Sequence, residues 1–131
     1  MKYLPPFSAL KRSVRLLSVK GQLKLDMNYD EFLDMVKLFL RAMPFDEAWY
    51  RRTYPDVAQA IHTGTYRDAR QHFIESGYFE GRRPFPLEVD EAWYIAKNSD
   101  VAESVRNGTV ASAQEHFEQH GYEEGRWPGE V

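Results

Sequence analysis

The sequence contains no cysteine. Disulfides, thiolate metal sites and a cysteine nucleophile are therefore excluded, and the composition fits a chain of the reducing cytoplasm. There is no run of about 18 apolar residues, so no helix is expected to span a membrane. Residues 1–8 hold two prolines and no apolar core, and they do not read as a secretory signal. The phosphate-cradling patterns Gly-x-x-x-x-Gly-Lys-Ser/Thr and Gly-x-Gly-x-x-Gly are missing, as is the Gly-x-Ser-x-Gly nucleophile turn. Acidic residues are absent from the first 25 positions, which carry six bases: Lys2, Lys11, Arg12, Arg15, Lys20 and Lys24.

The 131 residues are 43% hydrophobic and 28% charged, a globular rather than a disordered composition, and the chain is long enough to bury one core. Aromatics, at 15%, point to a dense core or an adhesive face. The net charge of −3 conceals a division. Residues 1–45 hold eight bases and four acids, a net of +4, and residues 46–131 hold nine bases and sixteen acids, a net of −7. The acidic part would repel phosphate, so nucleic acid is not an expected partner. The basic start reads first as a solubilising segment complementary to the acidic body. Contact of residues 1–25 with an anionic membrane is the less favoured alternative.

An internal duplication dominates the rest. With Phe45–Leu87 written above Val89–Val131, 19 of 43 positions are identical without a gap. Asp46-Glu47-Ala48-Trp49-Tyr50 matches Asp90-Glu91-Ala92-Trp93-Tyr94, and Asp56-Val57-Ala58 matches Asp100-Val101-Ala102. His72-Phe73, Gly77-Tyr78 and Glu80-Gly81-Arg82 recur as His116-Phe117, Gly121-Tyr122 and Glu124-Gly125-Arg126. Each copy predicts three short helices. Asp46 and Asp90 are placed to cap the first. Asp56 and Asp100 are expected to cap the second, over 57–63 and 101–107, with Gly64 and Gly108 as left-handed stops. Thr65 and Thr109 are expected to cap the third, over about 66–76 and 110–120, with Gly77 and Gly121 ending it. The Tyr-x-Glu-Gly-Arg-x-Pro tail is then a turn. No helix this short buries its apolar stripe alone, so the copies are expected to pack on each other or on a neighbour.

The pattern Tyr…Asp-Val-Ala…Gly…Ala…His-Phe…Gly-x-x-Glu-Gly-Arg-x-Pro resembles a short helical repeat of bacterial proteins. It is similar to repeats appended to glycosyltransferases of surface-polysaccharide clusters and to repeats of secreted calcium-binding, haemolysin-like proteins. The resemblance covers about residues 45–131 and implies an accessory or binding module. It carries over neither parent activity, because the chain has no glycosyltransferase domain and no glycine-rich calcium-binding nonapeptide.

Ahead of the repeats, Asn28 and Glu31 predict a helix start, and Pro44 predicts its end near residue 43. Phe32, Leu33, Met35, Val36, Leu38, Phe39, Leu40 and Met43 cover more than one stripe of that helix. A helix apolar on nearly all sides must be buried on several. The expected covers are the repeats and a second copy of the chain, with Phe32, Val36, Phe39 and Leu40 as the self-association residues. Residues 7–27 admit two readings. Alternation around Lys20-Gly21 suggests a hairpin, whereas Leu10, Val14 and Leu17 fit a helix face; helix is the expectation carried forward.

The expected fold is therefore all-α. A basic arm (1–27) and a hydrophobic helix (28–44) precede two helical repeats (45–88 and 89–131). The expected function is a non-enzymatic interaction or scaffold module, self-associating and cytoplasmic. The alternative is a glycan-binding or regulatory accessory protein of surface-polysaccharide biosynthesis. Partner or glycan contact is assigned to Trp49, Tyr50, Trp93, Tyr94, Tyr78, Tyr122, Arg82 and Arg126, with Trp127 beside them, since paired aromatics anchor partners and stack on sugar rings. The competing reading makes the repeated Trp and Tyr an inter-repeat core. His116 and His120, four apart, could hold two legs of a metal site. Ser76 replaces the second of them in the first copy, so no metal and no cofactor are assigned. Glu80/Arg82 and Glu124/Arg126 read as structural ion pairs rather than as catalytic acids with an anion clamp.

Overall fold

The computed structural model describes residues 3–131; Met1 and Lys2, and with them one of the six leading bases, lie outside the described residues. The chain divides into two compact units, one reaching to Phe85 and the other comprising Pro86–Val131. The first unit thus takes in the N-terminal segment and the first repeat.

Helix α1, Phe7–Arg12, is followed by strands β1, Arg15–Val19, and β2, Gln22–Asp26, paired antiparallel with Leu16 opposite Leu25 and Ser18 opposite Leu23. The all-α expectation is corrected here: the chain is mostly helical but carries a two-stranded antiparallel sheet, and the hairpin alternative replaces the helix for 15–26. Lys20 and Gly21 decide it. Both adopt positive φ, 51° and 77°, the geometry of a two-residue hairpin turn whose twist matches its strands. The register sets Leu16, Leu23 and Leu25 on one face and Leu17 and Val19 on the other. Every strand residue is exposed. Arg15 ties the hairpin together and to the next helix, pairing with Asp26 at 3.2 Å and Glu31 at 3.0 Å.

Helix α2, Tyr29–Ala42, is capped as expected by Asn28, whose Oδ1 accepts from the Glu31 N–H at 2.9 Å. Within one chain the helix is buried on one side only. Leu40 is buried in the first repeat's core and Val36 packs beside it, while Phe32 and Phe39 remain exposed. Lys37 reaches Glu75 at 3.1 Å, and the Arg70 guanidinium donates to the carbonyls of Arg41 and Met43 while lying over Phe45. These contacts fasten α2 to the first repeat. No helix of the described residues is long and apolar enough to cross a membrane.

The first repeat contains α3, Glu47–Thr53, α4, Pro55–His62, and α5, Ala69–His72. The second repeats them as α6, Glu91–Lys97, α7, Ser99–Arg106, and α8, Ala113–His116. Asp46 and Asp90 cap as expected, accepting from the N–H of Trp49 and Trp93. Gly64 and Gly108 are left-handed, at 84° and 81°. Two of the expected caps move. Pro55 opens α4, where its missing N–H costs nothing, and Ser99 opens α7, so Asp56 and Asp100 lie inside the first turn and are not caps. Asp68 and Ser112, not Thr65 and Thr109, cap α5 and α8. Both of these helices then widen into a π-helical turn, Phe73–Gly77 and Phe117–Gly121.

Each repeat closes on itself. The Asp46 N–H donates to the Pro84 carbonyl at 3.0 Å, and that of Asp90 to Pro128 at 2.8 Å, joining head to tail. Glu47 and Glu91 reach across to accept from the N–H of Ala69 and Ala113. Leu40, Tyr50, Val57, Ala69, Phe73 and Ile74 form one core; Tyr94, Val101, Ala113 and Phe117 form the other. Each copy thus has a core of its own, and the repeated Tyr50 and Tyr94 lie within it. At the position of buried Ile74, beside which α2 packs, the second copy has exposed Glu118.

Candidate functional site

The duplicated residues build a polar lock inside each repeat. Tyr50 and Tyr94 are fully enclosed, and their hydroxyls share a hydrogen with the Nδ1 of His72 at 2.9 Å and of His116 at 3.0 Å. A buried phenol and a buried imidazole both need such a partner. Desolvation favours their neutral forms: burial raises both tyrosines above the usual phenol value, against the pull of the nearby Arg82 or Arg126, and lowers both histidines, which the same arginines lower further. Gly77 and Gly121 make room for the hydroxyls. A Cβ there would stand 2.1 Å from the Tyr50 oxygen and 2.2 Å from that of Tyr94. The lock is closed to solvent and offers no surface to a partner.

A clamp lies beside each lock. Arg82 grips Asp56 with two bonds of 2.9 and 2.7 Å and reaches Glu80 at 3.0 Å. Arg126 grips Asp100 with bonds of 2.9 and 2.8 Å and reaches Glu124 at 2.7 Å. Bidentate pairing of this kind is the strong form of the contact, and it holds the Asp100 carboxyl down at about 2. The copies differ in one partner. Arg82 stacks on Tyr54 with 5.0 Å to the ring centre, and Arg126 instead donates to the Asn98 side chain at 2.9 Å.

The residues assigned to partner or glycan contact sit in different surroundings. Tyr50 and Tyr94 are core residues, and Arg82 and Arg126 are already committed to carboxylates of their own repeat. Trp49 is half-buried, edge-on to Tyr54 and covered by Arg83. Trp93 packs half-buried against the second core. Tyr78 is exposed, whereas Tyr122 sets its ring edge against Phe117. Trp127, at the position of Arg83, is 61% exposed. It borders a cleft of about 360 Å³ with Leu87, Phe117 and Tyr122. The His120 ring lies 5.6 Å from that of His116, and no three carboxylate or imidazole groups gather as a metal site among the described residues.

The largest exposed apolar surface is in the N-terminal segment. Phe39 stands between two clefts. One, about 470 Å³, is lined by Tyr3, Leu4, Ala42, Met43 and Pro44; the other, about 430 Å³, by Phe7, Leu10, Val14, Leu16, Leu23, Leu25 and Met35. The self-association residues expected from the sequence lie on α2 and do not include the hairpin leucines that line the second cleft. Their alternation was the available signal. Of the four residues on α2, Phe32 and Phe39 face solvent, while Val36 and Leu40 face the chain's own core.

The buried histidines set a pH response. Their protons bind more readily in the unfolded chain, so their contribution is intact above about pH 6.5 and is lost as pH falls through the unfolded value toward the lowered folded one. Thermal melting followed from neutral to mildly acidic pH is expected to show stability falling by at most about 1.4 kcal/mol per pH unit for each histidine. His72→Gln with His116→Gln should flatten that fall. An unchanged slope in the double variant would count against the burial argument.

Compared with known protein families, curated proteins and solved structures, the chain shows no match.

Proposed function

We propose that this chain is a non-enzymatic, self-associating interaction module of the cytoplasm, a scaffold or adaptor whose docking surface lies on residues 3–43. One observation carries the reading. Twelve large apolar side chains of that short segment are at least 38% exposed, against four in the rest of the described chain. At roughly 200 Å² for a large side chain, they offer on the order of 1,000 Å² of apolar surface, shared among both faces of the hairpin and the neighbouring helices, and a surface of that size is what one side of a stable interface buries. A hairpin with two open edges and no residue buried is also a marginal structure alone, and a further covering surface stabilises it.

Phe7→Ser, Leu23→Ser and Phe39→Ser together should leave the two repeats folded and reduce the mass measured by light scattering to that of one chain. A wild-type mass of one chain at every concentration, with clean solubility, would sink the proposal. So would a triple variant that associates as the wild type does.

A further inference from the structure

The two units carry opposite charge. Residues 1–85 hold fourteen bases and ten acids, a net of +4, and residues 86–131 hold three bases and ten acids, a net of −7. The first repeat itself is nearly neutral, so the acidity found across 46–131 belongs to the second unit. The unpaired charge is also distributed this way. Lys11, Arg12, Lys20 and Lys24 are exposed and enter no ion pair among the described residues. On the second unit, Glu88, Glu103, Glu123 and Glu130 are exposed and likewise form no ion pair among those residues.

Shape follows the same division. The basic unit has the apolar cleft of about 430 Å³ between α1, the hairpin and α2, with Lys11 among its lining residues. The acidic unit presents Trp127, 61% exposed, where the first copy has Arg83. An exposed Trp on a unit whose charge is opposite to that of the unit bearing the apolar cleft is suited to act as an interface anchor.

We infer that copies of this chain associate head to tail, the acidic second unit of one presenting Trp127 to the basic apolar cleft of the first unit of the next. The inference rests on the self-association reading and names its geometry. Two first units would set a net +4 against +4, which is repulsive, whereas a first and a second unit, at +4 and −7, attract one another. A heterologous contact leaves one face free at each end, so mass should continue to grow past two chains unless a ring closes. Added salt should weaken it by screening.

The test uses full-length protein and two charge reversals. Lys11→Glu with Arg12→Glu takes the first unit from a net +4 to 0, and Glu123→Lys with Glu130→Lys takes the second from −7 to −3. Each reversed protein alone should associate about tenfold or more weakly than wild type, and an equimolar mixture of the two should recover association. Recovery also shows that both variants fold. Trp127→Ala should weaken association by a similar factor without shifting the melting temperature. If the acidic reversal or Trp127→Ala leaves association intact, the head-to-tail contact is overturned and self-association itself stands. If the mixture fails to recover what both reversals lose, it is likewise overturned. A wild type that stays a single chain overturns both.

Discussion

Gly77→Ala is expected to destabilise the first unit by about 3 kcal/mol, a fall of roughly 15 °C in its melting temperature. The backbone alone predicts the opposite sign. Gly77 has helical φ and ψ, −60° and −44°, and alanine in a helix ordinarily gains about 1 kcal/mol over glycine. The added methyl, however, would stand 2.1 Å from the Tyr50 hydroxyl oxygen and 3.2 Å from the His72 Nδ1. Neither ring has room to retreat, since Tyr50 is fully buried against Phe45, Tyr54 and Phe73. Tyr50→Phe removes the clashing oxygen and leaves the His72 nitrogen unpaired, at about 1–3 kcal/mol. The double variant should therefore cost less than the two singles added together, with a coupling of about 1–2 kcal/mol. Strict additivity would show that the glycine is not there to admit the hydroxyl. Gly121→Ala against Tyr94 offers the same experiment in the second unit, at 2.2 Å.

Leu40→Ala separates folding from association on one helix. Leu40 is 6% exposed and packs with Tyr50, Val57, Phe73 and Ile74. Truncation of such a leucine costs about 2–4 kcal/mol through lost transfer energy and the cavity left behind. Chemical denaturation should register that loss in the first unit while the mass of the native protein stays as in wild type. Its neighbour Phe39, which faces the two clefts, should behave in the reverse manner, with little loss of stability and a marked loss of association. A Leu40→Ala protein of wild-type stability would remove α2 from the core.

The legible and illegible parts of the sequence differ by range. Local chemistry read correctly. Asp46, Asp90 and Asn28 cap because their side chains reach an N–H only three residues on, and Gly64 and Gly108 turn left-handed where a short helix ends. Long-range partners did not. Asp56 looks like a cap until Arg82, 26 residues away, claims both its oxygens. Gly77 looks like a helix stop until Tyr50 arrives from another helix. Over residues 7–27 the same leucines satisfy period 2 and period 3.6, and composition does not choose between them. The choice fell to the positive φ of Lys20 and Gly21. The aromatic pairs Trp49-Tyr50 and Trp93-Tyr94 were legible as important but not as buried, because a repeated ring serves a core and an interface with the same residues.

The most direct measurement is hydrogen exchange of the full-length protein at low and high concentration. In a single chain the backbone of residues 15–26 has no cover, since every strand residue is exposed, and its amides should exchange quickly. Association through the N-terminal surface predicts that these amides gain protection as concentration rises, while those of α4 and α7 do not change. Equal, rapid exchange of residues 15–26 at all concentrations would contradict the account.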